Sequence, residues 1–221
     1  MAFISIHQAL YRKEGAWAWQ VIGVGEQIIA ALLLAILSPL LVVIWTMILA
    51  LSGCSPLIAH RRVGQHGAVL WALKFRTMWG DHARRGVRRS LTVEYINDEA
   101  GPARKTPRDL RVASRFARFC RQHSLDELPQ LVNVLRGQMS LVGPRPVTGA
   151  ELQQLYGPRA AEILLARPGL SGLWQVSGRS RLTVRERSAL DLECARQRSV
   201  KLYFSILMRT IPEVFIGTGA W

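Results

Sequence analysis

The chain has 221 residues and a mass of 24.8 kDa, which is the size of one domain, or of one domain with a membrane anchor. Hydrophobic residues make up 49% of it, which excludes a disordered chain. The formal net charge of +14 predicts an anionic partner such as nucleic acid, anionic lipid or a phosphorylated small molecule. Three widely spaced cysteines exclude a disulfide framework and a zinc ribbon, and they favour a reducing compartment.

An apolar segment lies near the N-terminus. Residues 28–51 are apolar apart from Ser38, Pro39 and Thr46. As a helix this segment would measure about 36 Å, enough to cross the ~30 Å hydrocarbon layer of a bilayer. Trp17 precedes it, together with Trp19, where aromatic residues are expected at a membrane interface. The segment is therefore predicted to lie in a membrane.

Pro39 lies at the centre of this segment. It has no N–H to donate to the carbonyl of Ala35, so we expect a kink there, and Ser38 can satisfy a freed backbone group. Basic residues flank the segment on both sides, at 12–13 and 61–62, whereas a single crossing shows a positive bias on its cytoplasmic side. The pattern favours a helix-break-helix hairpin that enters and leaves by the same face. A simple kinked span is the alternative.

Charge divides the chain into two predicted regions. Residues 1–53 carry two basic and two acidic side chains, so the whole net charge belongs to residues 54–221. We interpret residues 1–53 as an interfacial segment, with a short surface helix near residues 3–11, followed by the membrane helix. Residues 54–221 are predicted to form a cytoplasmic α+β domain, mostly helical, with a short sheet and amphipathic surface helices.

The first half of that domain contains a strand pattern and a basic helix pattern. A strand is predicted within residues 68–78 and mostly loop over residues 79–110. Residues 108–121 have a helical pattern in which an aromatic stripe runs beside an arginine stripe, formed by Arg111, Arg115, Arg118 and Arg121. Such a helix could lie on an anionic membrane surface. A solvated basic face on an ordinary packed helix is the alternative.

The segment SLDELPQLVNVLRGQMSLVGPRP, residues 124–146, predicts a helix, a strand and a turn. Pro129 is expected in the first helical turn, with Asp126 or Ser124 as the N-cap, and Gly137 at the C-terminal end. A strand is predicted at 139–142, followed by a rigid GPRP turn that presents Arg145. Further predictions are helices at 148–156 and 158–166, a strand at 173–176, and one or two helices over 183–216 with Ser199 and Pro212 as breaks.

Asp126 and Glu127 are adjacent carboxylates at a helix N-terminus in a domain that has few acids. The helix dipole would favour an ionised Asp126, which could act as a nucleophile or a metal ligand. Adjacent carboxylates also suit Mg²⁺, which commonly binds one or two of them together with substrate phosphate. On these residues alone, helix capping is the alternative and the more common role. P-loop, zinc-hydrolase and serine-hydrolase motifs are absent from the sequence.

Three segments together resemble a known family. KFRTM (74–78), SLDELPQLVNVLRGQMSLVGPRP and RPGLSGLWQVSGR (167–179) are similar to segments of the bacterial sugar transferases, the monotopic polyprenyl-phosphate phosphoglycosyl transferases. The resemblance extends over the Ser38-Pro39 pair and covers nearly the whole chain from about residue 20. It implies the minimal form of the family, with a single re-entrant membrane hairpin broken at Ser38-Pro39.

The resemblance also implies an activity at the cytoplasmic face of a bacterial inner membrane. Asp126 would take the phosphosugar from a UDP-sugar, releasing UMP, and undecaprenyl phosphate would then accept it as the first membrane step of a glycan pathway. Glu127, with Asp126, would hold Mg²⁺. Arg145 is implied as a phosphate-binding residue, and Lys74, Arg76 and Gln175 as further substrate contacts. For Lys74 and Arg76, bracing of the fold is the alternative.

The expected partners are therefore the UDP-sugar, the polyprenyl phosphate and membrane lipids, and not nucleic acid; a homodimer is left open. Two other functions compete with this one. A membrane-tethered protein that binds nucleic acid or anionic lipid would also explain the +14 charge. A glycosyltransferase that uses the UDP-sugar directly would release UDP rather than UMP. The sequence does not select the sugar.

Overall fold

The computed structural model describes residues 16–79, 93–97, 112 and 114–216. Within these residues, helices and two small sheets form a mixed α+β fold, as predicted. The helices are α1 (Ala16–Ser52), α2 (Arg115–Gln122), α3 (Leu131–Leu135), α4 (Gly149–Tyr156), α5 (Ala160–Ile163), α6 (Val184–Arg196) and α7 (Val200–Ile216). The strands are β1 (Leu57–Val63), β2 (Val69–Phe75), β3 (Glu94–Ile96), β4 (Ser140–Val142) and β5 (Gly169–Ser171). The predicted surface helix near residues 3–11 and the Arg111 end of the basic stripe lie outside the described residues.

Helix α1 is apolar along its 37 residues, and it is the one described helix long and apolar enough to cross a membrane. Its helical geometry continues through Pro39, so the structure has one helical element where the hairpin interpretation expected two helices and a break. The hydroxyl of Ser38 donates a hydrogen bond to the carbonyl of Ala35 at 2.8 Å. Pro39 leaves that carbonyl without its usual donor, so Ser38 satisfies the freed backbone group as predicted.

One face of α1 packs against the rest of the protein along most of its length. Ala30, Ile44 and Ile48 are at most 2% exposed and belong to apolar core clusters. The other face carries large apolar side chains that are exposed: Trp17, Val21, Val24, Ile28, Ile29, Leu32, Ile36, Leu40, Val42, Val43, Met47 and Leu51. An apolar surface of this extent is typical of a contact with lipid or with another protein.

The larger sheet has the strand order β2-β1-β3. Strands β1 and β2 form an antiparallel hairpin that runs from the pair Leu57 and Phe75 to the pair Val63 and Val69, and β3 lies parallel to β1. The prediction of a strand within residues 68–78 is confirmed by β2. Strand β3 was not expected, because its region was interpreted as loop.

The smaller sheet pairs β4 with β5 in parallel. Strand β4 confirms the strand expected at 139–142. The strand predicted at 173–176 is wrong, because those residues form turns and the strand is β5, at 169–171. Gly143 and Gly169 are required where these strands meet, since a Cβ on Gly169 would collide with the backbone nitrogen of Gly143. This close approach fixes the start of the GPRP turn.

Several helix boundaries differ from those expected. Residues Leu125–Gln130 form a 3-10 helix that leads into the short α3, and Pro129 lies near its end rather than in its first turn. Gly137 follows α3 with a left-handed φ of 69°, as expected of a C-terminal glycine. Ser199 separates α6 from α7 as predicted, and its hydroxyl accepts a bond from Leu202 N. Pro212 lies inside α7 and does not end it.

Glu26 is the only acidic residue of α1, and it is 4% exposed. Its Oε1 accepts hydrogen bonds from the hydroxyl of Ser140, from the backbone nitrogen of Leu141 at 2.7 Å and from the hydroxyl of Tyr203 at 2.8 Å. Burial, and then the charge of Glu26, raise the pKa of Tyr203, so its hydroxyl keeps its proton and can donate. One carboxylate therefore joins α1, β4 and α7.

Candidate active site

Asp126 and Glu127 lie in the first turn of the 3-10 helix Leu125–Gln130. Ser124 is the N-cap residue, with a left-handed φ of 55°, and its side chain makes no capping hydrogen bond. Of the two N-cap candidates, the structure therefore selects Ser124. Asp126 lies in the first turn, where an acidic side chain interacts favourably with the helix N-terminus, so the capping role stays the alternative to catalysis.

The leucines on either side of the carboxylate pair belong to two different core clusters. Leu125 packs against the cluster that contains Ile44 and Ile48, beyond Pro39 in α1. Leu128 packs against the cluster that contains Ala30, before Pro39. The segment that carries Asp126 and Glu127 is therefore held by apolar contacts with clusters that include both halves of the apolar helix.

Lys74 of β2 is brought to the carboxylate pair. Its Nζ lies 2.6 Å from Oε1 of Glu127, and the two side chains are 23% and 33% exposed. The amide of Asn133, which is 1% exposed, connects α3 to β2. It accepts a bond from Leu73 N at 3.1 Å and donates to Trp71 O at 2.9 Å. Because Asn133 lies on α3 and its partners on β2, this amide sets the position of the 3-10 helix relative to Lys74.

Cys120 of α2 lies close enough to Asp126 for an electrostatic interaction between the two side chains. Burial, and then the negative charge of Asp126, raise the pKa of Cys120 to about 12. The thiol is fully buried and stays protonated at neutral pH, so it is not a nucleophile. Asp126 and Glu127 supply carboxylate oxygens that can attack an electrophile or bind a cation.

Arg76 points to a different set of partners. It is 3% exposed, its Nε donates to the carbonyl of Ser55 at 2.8 Å, and its guanidinium forms an ion pair with Glu94. These contacts join the residue that follows β2 to β3 and to the segment after α1. They fit the alternative in which Arg76 braces the fold.

Arg145 is presented by the GPRP turn after β4. Its backbone nitrogen donates to Asp191 at 3.2 Å, and the other oxygen of Asp191 accepts a bond from the hydroxyl of Tyr156 at 3.2 Å. Burial raises the pKa of Asp191 to about 7. The guanidinium carbon of Arg145 lies 5.9 Å from the centre of the Trp174 ring. Arg145 is thus held through its backbone, and its side chain makes no ion pair among the described residues.

Gln175 follows Trp174 and is half-buried beside the same turn. Its Oε1 is buried and has no hydrogen-bond partner in the described part of the chain. The six predicted site residues therefore fall into three groups. Lys74 joins the carboxylate pair, Arg145 and Gln175 lie around Trp174, and Arg76 lies with Glu94.

The described residues contain no cluster of three or more histidine, cysteine or acidic side chains. Asp126 and Glu127 supply hard carboxylate oxygens, and Mg²⁺ is commonly bound by one or two carboxylates, with water and substrate phosphate completing its shell. The donor set of the carboxylate pair fits Mg²⁺.

Three residues that organise this region were not singled out in the sequence: Glu26, Asn133 and Asp191. Each is a polar side chain in a short segment that contains several apolar residues: GVGEQII, QLVNVLR and SALDLEC. A buried polar side chain needs a hydrogen-bond partner, so such a pattern is a usable signal. The partners lie far away in sequence, which is why the signal alone does not identify them.

The sequence profile of the bacterial sugar transferase family matches residues 19–217. The chain belongs to that family. Exopolysaccharide production protein ExoY of Sinorhizobium fredii is 40% identical to this chain over 198 residues. The matched residues are 89% of this chain and 86% of that protein.

Two longer relatives carry more specific names. The UDP-glucose:undecaprenyl-phosphate glucose-1-phosphate transferase of Caulobacter vibrioides is 38% identical over 206 residues, 89% of this chain and 70% of that protein. The undecaprenyl-phosphate galactose phosphotransferase of Salmonella typhimurium is 36% identical over 195 residues, 86% of this chain and 39% of that protein. The sugar transferase is therefore similar to proteins that differ in the sugar they are named for.

Proposed function

We propose that the chain transfers a sugar phosphate from a UDP-sugar to undecaprenyl phosphate at the cytoplasmic face of the bacterial inner membrane. The names of the relatives from Caulobacter and Salmonella support the acceptor and the kind of group transferred. The product would be an undecaprenyl-diphosphate sugar, the first lipid-linked intermediate of a polysaccharide or glycoconjugate.

The proposed reaction has two displacements at one phosphorus atom. A carboxylate oxygen of Asp126 attacks the sugar-linked β-phosphorus, a new O–P bond forms, and the bond to the bridging oxygen breaks so that UMP leaves with the electron pair. An oxygen of the acceptor phosphate then attacks the same phosphorus. The bond to Asp126 breaks and the carboxylate is regenerated, so each step exchanges one O–P bond for another.

Glu127, together with Asp126, would hold Mg²⁺. When bound, the ion neutralises phosphate charge and orients the reacting groups. Lys74 keeps Glu127 in place through the 2.6 Å ion pair and lowers the local negative charge. Arg145 supplies a guanidinium fork, which matches the geometry of phosphate oxygens.

The observation that carries this proposal is that the leucines flanking the carboxylate pair pack against core clusters that also contain residues of the apolar helix. A polyprenyl phosphate keeps its chain in lipid and its phosphate at the surface, so a catalytic carboxylate must lie where the protein meets the membrane. Leu125 and Leu128 hold Asp126 and Glu127 on clusters that include both halves of α1. A nucleic-acid-binding protein would not need carboxylates in this position.

The packing of α1 also supports a re-entrant arrangement. Trp19 and Glu26 near its start contact α7, and Ile44 and Ile48 near its end pack with α2. Both halves thus touch the same folded domain, which favours a domain on one side of the membrane and a helix bent at Pro39 over a straight crossing. Long helices bend at prolines, and the exposed apolar face of α1 would lie in lipid.

Two further helices have surfaces suited to a membrane. Helix α2 exposes Phe119, and α7 exposes Phe204, Met208 and Ile211 at helical spacing. Helix α2 packs near the end of α1 through Phe116, and α7 packs near its start. We propose that these are the amphipathic helices that hold the domain against the bilayer.

The topology proposal predicts the location of two added cysteines. In cells expressing Gly15→Cys or Gln65→Cys, both positions should react with a thiol reagent only after the inner membrane is permeabilised, because both ends of α1 would face the cytoplasm. The native cysteines are buried and give a low background. Labelling of one position from the periplasm in intact cells would show that α1 crosses the membrane.

The reaction itself is tested by the nucleotide that is released. Purified full-length protein, undecaprenyl phosphate, Mg²⁺ and a panel of UDP-sugars should yield UMP with at least one donor. Release of UDP instead would favour direct glycosyl transfer, and release of neither nucleotide by folded protein would favour a binding function.

Lys74→Gln should lower kcat/KM in that assay by about tenfold, because Glu127 loses its charge-assisted hydrogen bond and the anionic site loses a cation. Lys201→Gln is the matched control, since it removes the same charge from an exposed position on α7. Equal effects of the two variants would mean that Lys74 acts only through net charge.

A further inference from the structure

Two arginines from different elements share one tryptophan ring. Trp174 is 8% exposed and follows β5. The guanidinium carbon of Arg145, from the GPRP turn, lies 5.9 Å from the ring centre, and that of Arg187, from α6, lies 5.1 Å from it. Both distances are within the range of a cation–π contact. The fold therefore brings two positive charges to one side chain, although they are 42 residues apart in sequence.

These two charges are not neutralised by ion pairs. None of the salt bridges among the described residues involves Arg145 or Arg187. Asp191 is the nearby acid, but it accepts from the backbone nitrogen of Arg145 and from Tyr156, not from either guanidinium. Partial burial, and then the charge of Arg145, lower the pKa of Arg187. Two partly buried cations that repel each other are stabilised by an anion.

The same place holds buried donors without acceptors. Nε1 of Trp174 and Nε of Arg187 are buried and have no hydrogen-bond partner in the described part of the chain. Buried polar groups in folded proteins are nearly always paired, so two unpaired donors at one ring are unusual. Both are N–H groups, which donate to an anion and cannot bind a cation.

We propose that Arg145, Trp174 and Arg187 form an anion site that binds a phosphoryl group, with Arg187 as its second arginine. The assignment of the phosphoryl group to a substrate rests on the proposed function. The proposed donor carries two phosphoryl groups and the acceptor a third, so a second arginine beside the GPRP turn would bind phosphate oxygens that Arg145 alone does not reach. Arg187 gives the site a second fork, fixed on a helix.

The test measures binding, independently of turnover. Full-length protein in nanodiscs, without Mg²⁺, is titrated calorimetrically with pyrophosphate and with UMP, and separately with undecaprenyl phosphate in vesicles. The variants are Arg187→Gln, Arg187→Lys and the control Arg185→Gln, which removes the same charge from an exposed position two residues away on α6. Unfolding midpoints of the ligand-free variants confirm that each is folded.

Arg187→Gln should weaken binding of at least one phosphoryl ligand roughly ten- to hundredfold, the range expected for a charge-assisted contact, and Arg185→Gln should weaken it less than twofold. Arg187→Lys should fall between them because it keeps the charge and loses the fork. Loss confined to pyrophosphate or UMP assigns the site to the donor, and loss confined to the vesicle ligand assigns it to the acceptor. Equal binding by Arg187→Gln and Arg185→Gln would overturn the proposal.

The two proposals fail separately. Arg187-dependent pyrophosphate binding by a protein that releases no UMP from any UDP-sugar would leave the anion site standing and refute the reaction. Release of UMP by a protein whose binding of phosphoryl ligands does not depend on Arg187 would support the reaction and refute the anion site.

Discussion

Asp126→Asn should abolish UMP release from the UDP-sugar, with a fall in kcat of roughly 10⁴-fold or more, the size typical of removing a nucleophile. The amide has nearly the same shape as the carboxylate but carries no charge, so it neither attacks phosphorus nor binds a cation well. Because the two side chains have nearly the same shape, the variant should fold, and its unfolding midpoint measures this.

Two measurements make this result specific. Glu193→Gln is the matched control, since it neutralises an exposed carboxylate on α6, and it should keep wild-type turnover. Mass spectrometry of the wild-type protein, incubated with donor and without acceptor, should find a phosphosugar adduct on the peptide that contains Asp126. Full turnover by Asp126→Asn would refute the covalent mechanism.

Glu26→Leu should destabilise the protein even though it makes the membrane helix more apolar. The substitution leaves three buried donors without an acceptor, on Ser140, Leu141 and Tyr203. Each orphaned donor costs about 1–3 kcal/mol, so we expect the unfolding midpoint to fall by roughly 10 °C or more. Thermal unfolding in nanodiscs, followed by circular dichroism, measures it.

Glu26→Gln separates the carboxylate's charge from its hydrogen bonds. Its amide oxygen can still accept the bonds that Oε1 accepts, so this variant should lose much less stability than Glu26→Leu. The partner variant Tyr203→Phe removes a single donor and should have a small effect. If Glu26→Leu is as stable as the wild type, then the bonds of Glu26 do not hold α1 to the domain.

The sequence predicted the elements whose signal is local. The length of the apolar run marks α1, the apolar positions around Leu131 mark α3, and Gly137 marks the end of that helix. The predictions were wrong where a local pattern of residues is misleading. The apolar residues 173–176 suggest a strand but form turns, because the pairing partner of β4 is the glycine-containing segment 169–171.

The candidate site shows the same division. Adjacent carboxylates and the GPRP arginine are visible as short motifs, and the resemblance to a family gave them roles. Lys74 was expected near the substrate, and the structure gives it a partner, Glu127. Asn133, Asp191 and Arg187 act through partners 13 to 62 residues away, and no spacing rule predicts such contacts.

Side chains of α1 and of the domain together form two of the hydrophobic cores, and this affects how the protein can be prepared. Ala30, Ile44 and Ile48 complete two of the hydrophobic cores that carry the carboxylate pair. Deleting the first 53 residues to obtain a water-soluble fragment would therefore open those cores and expose Leu125 and Leu128. We therefore expect an active preparation from the intact chain, purified in detergent or nanodiscs with α1 and residues 54–221 kept together.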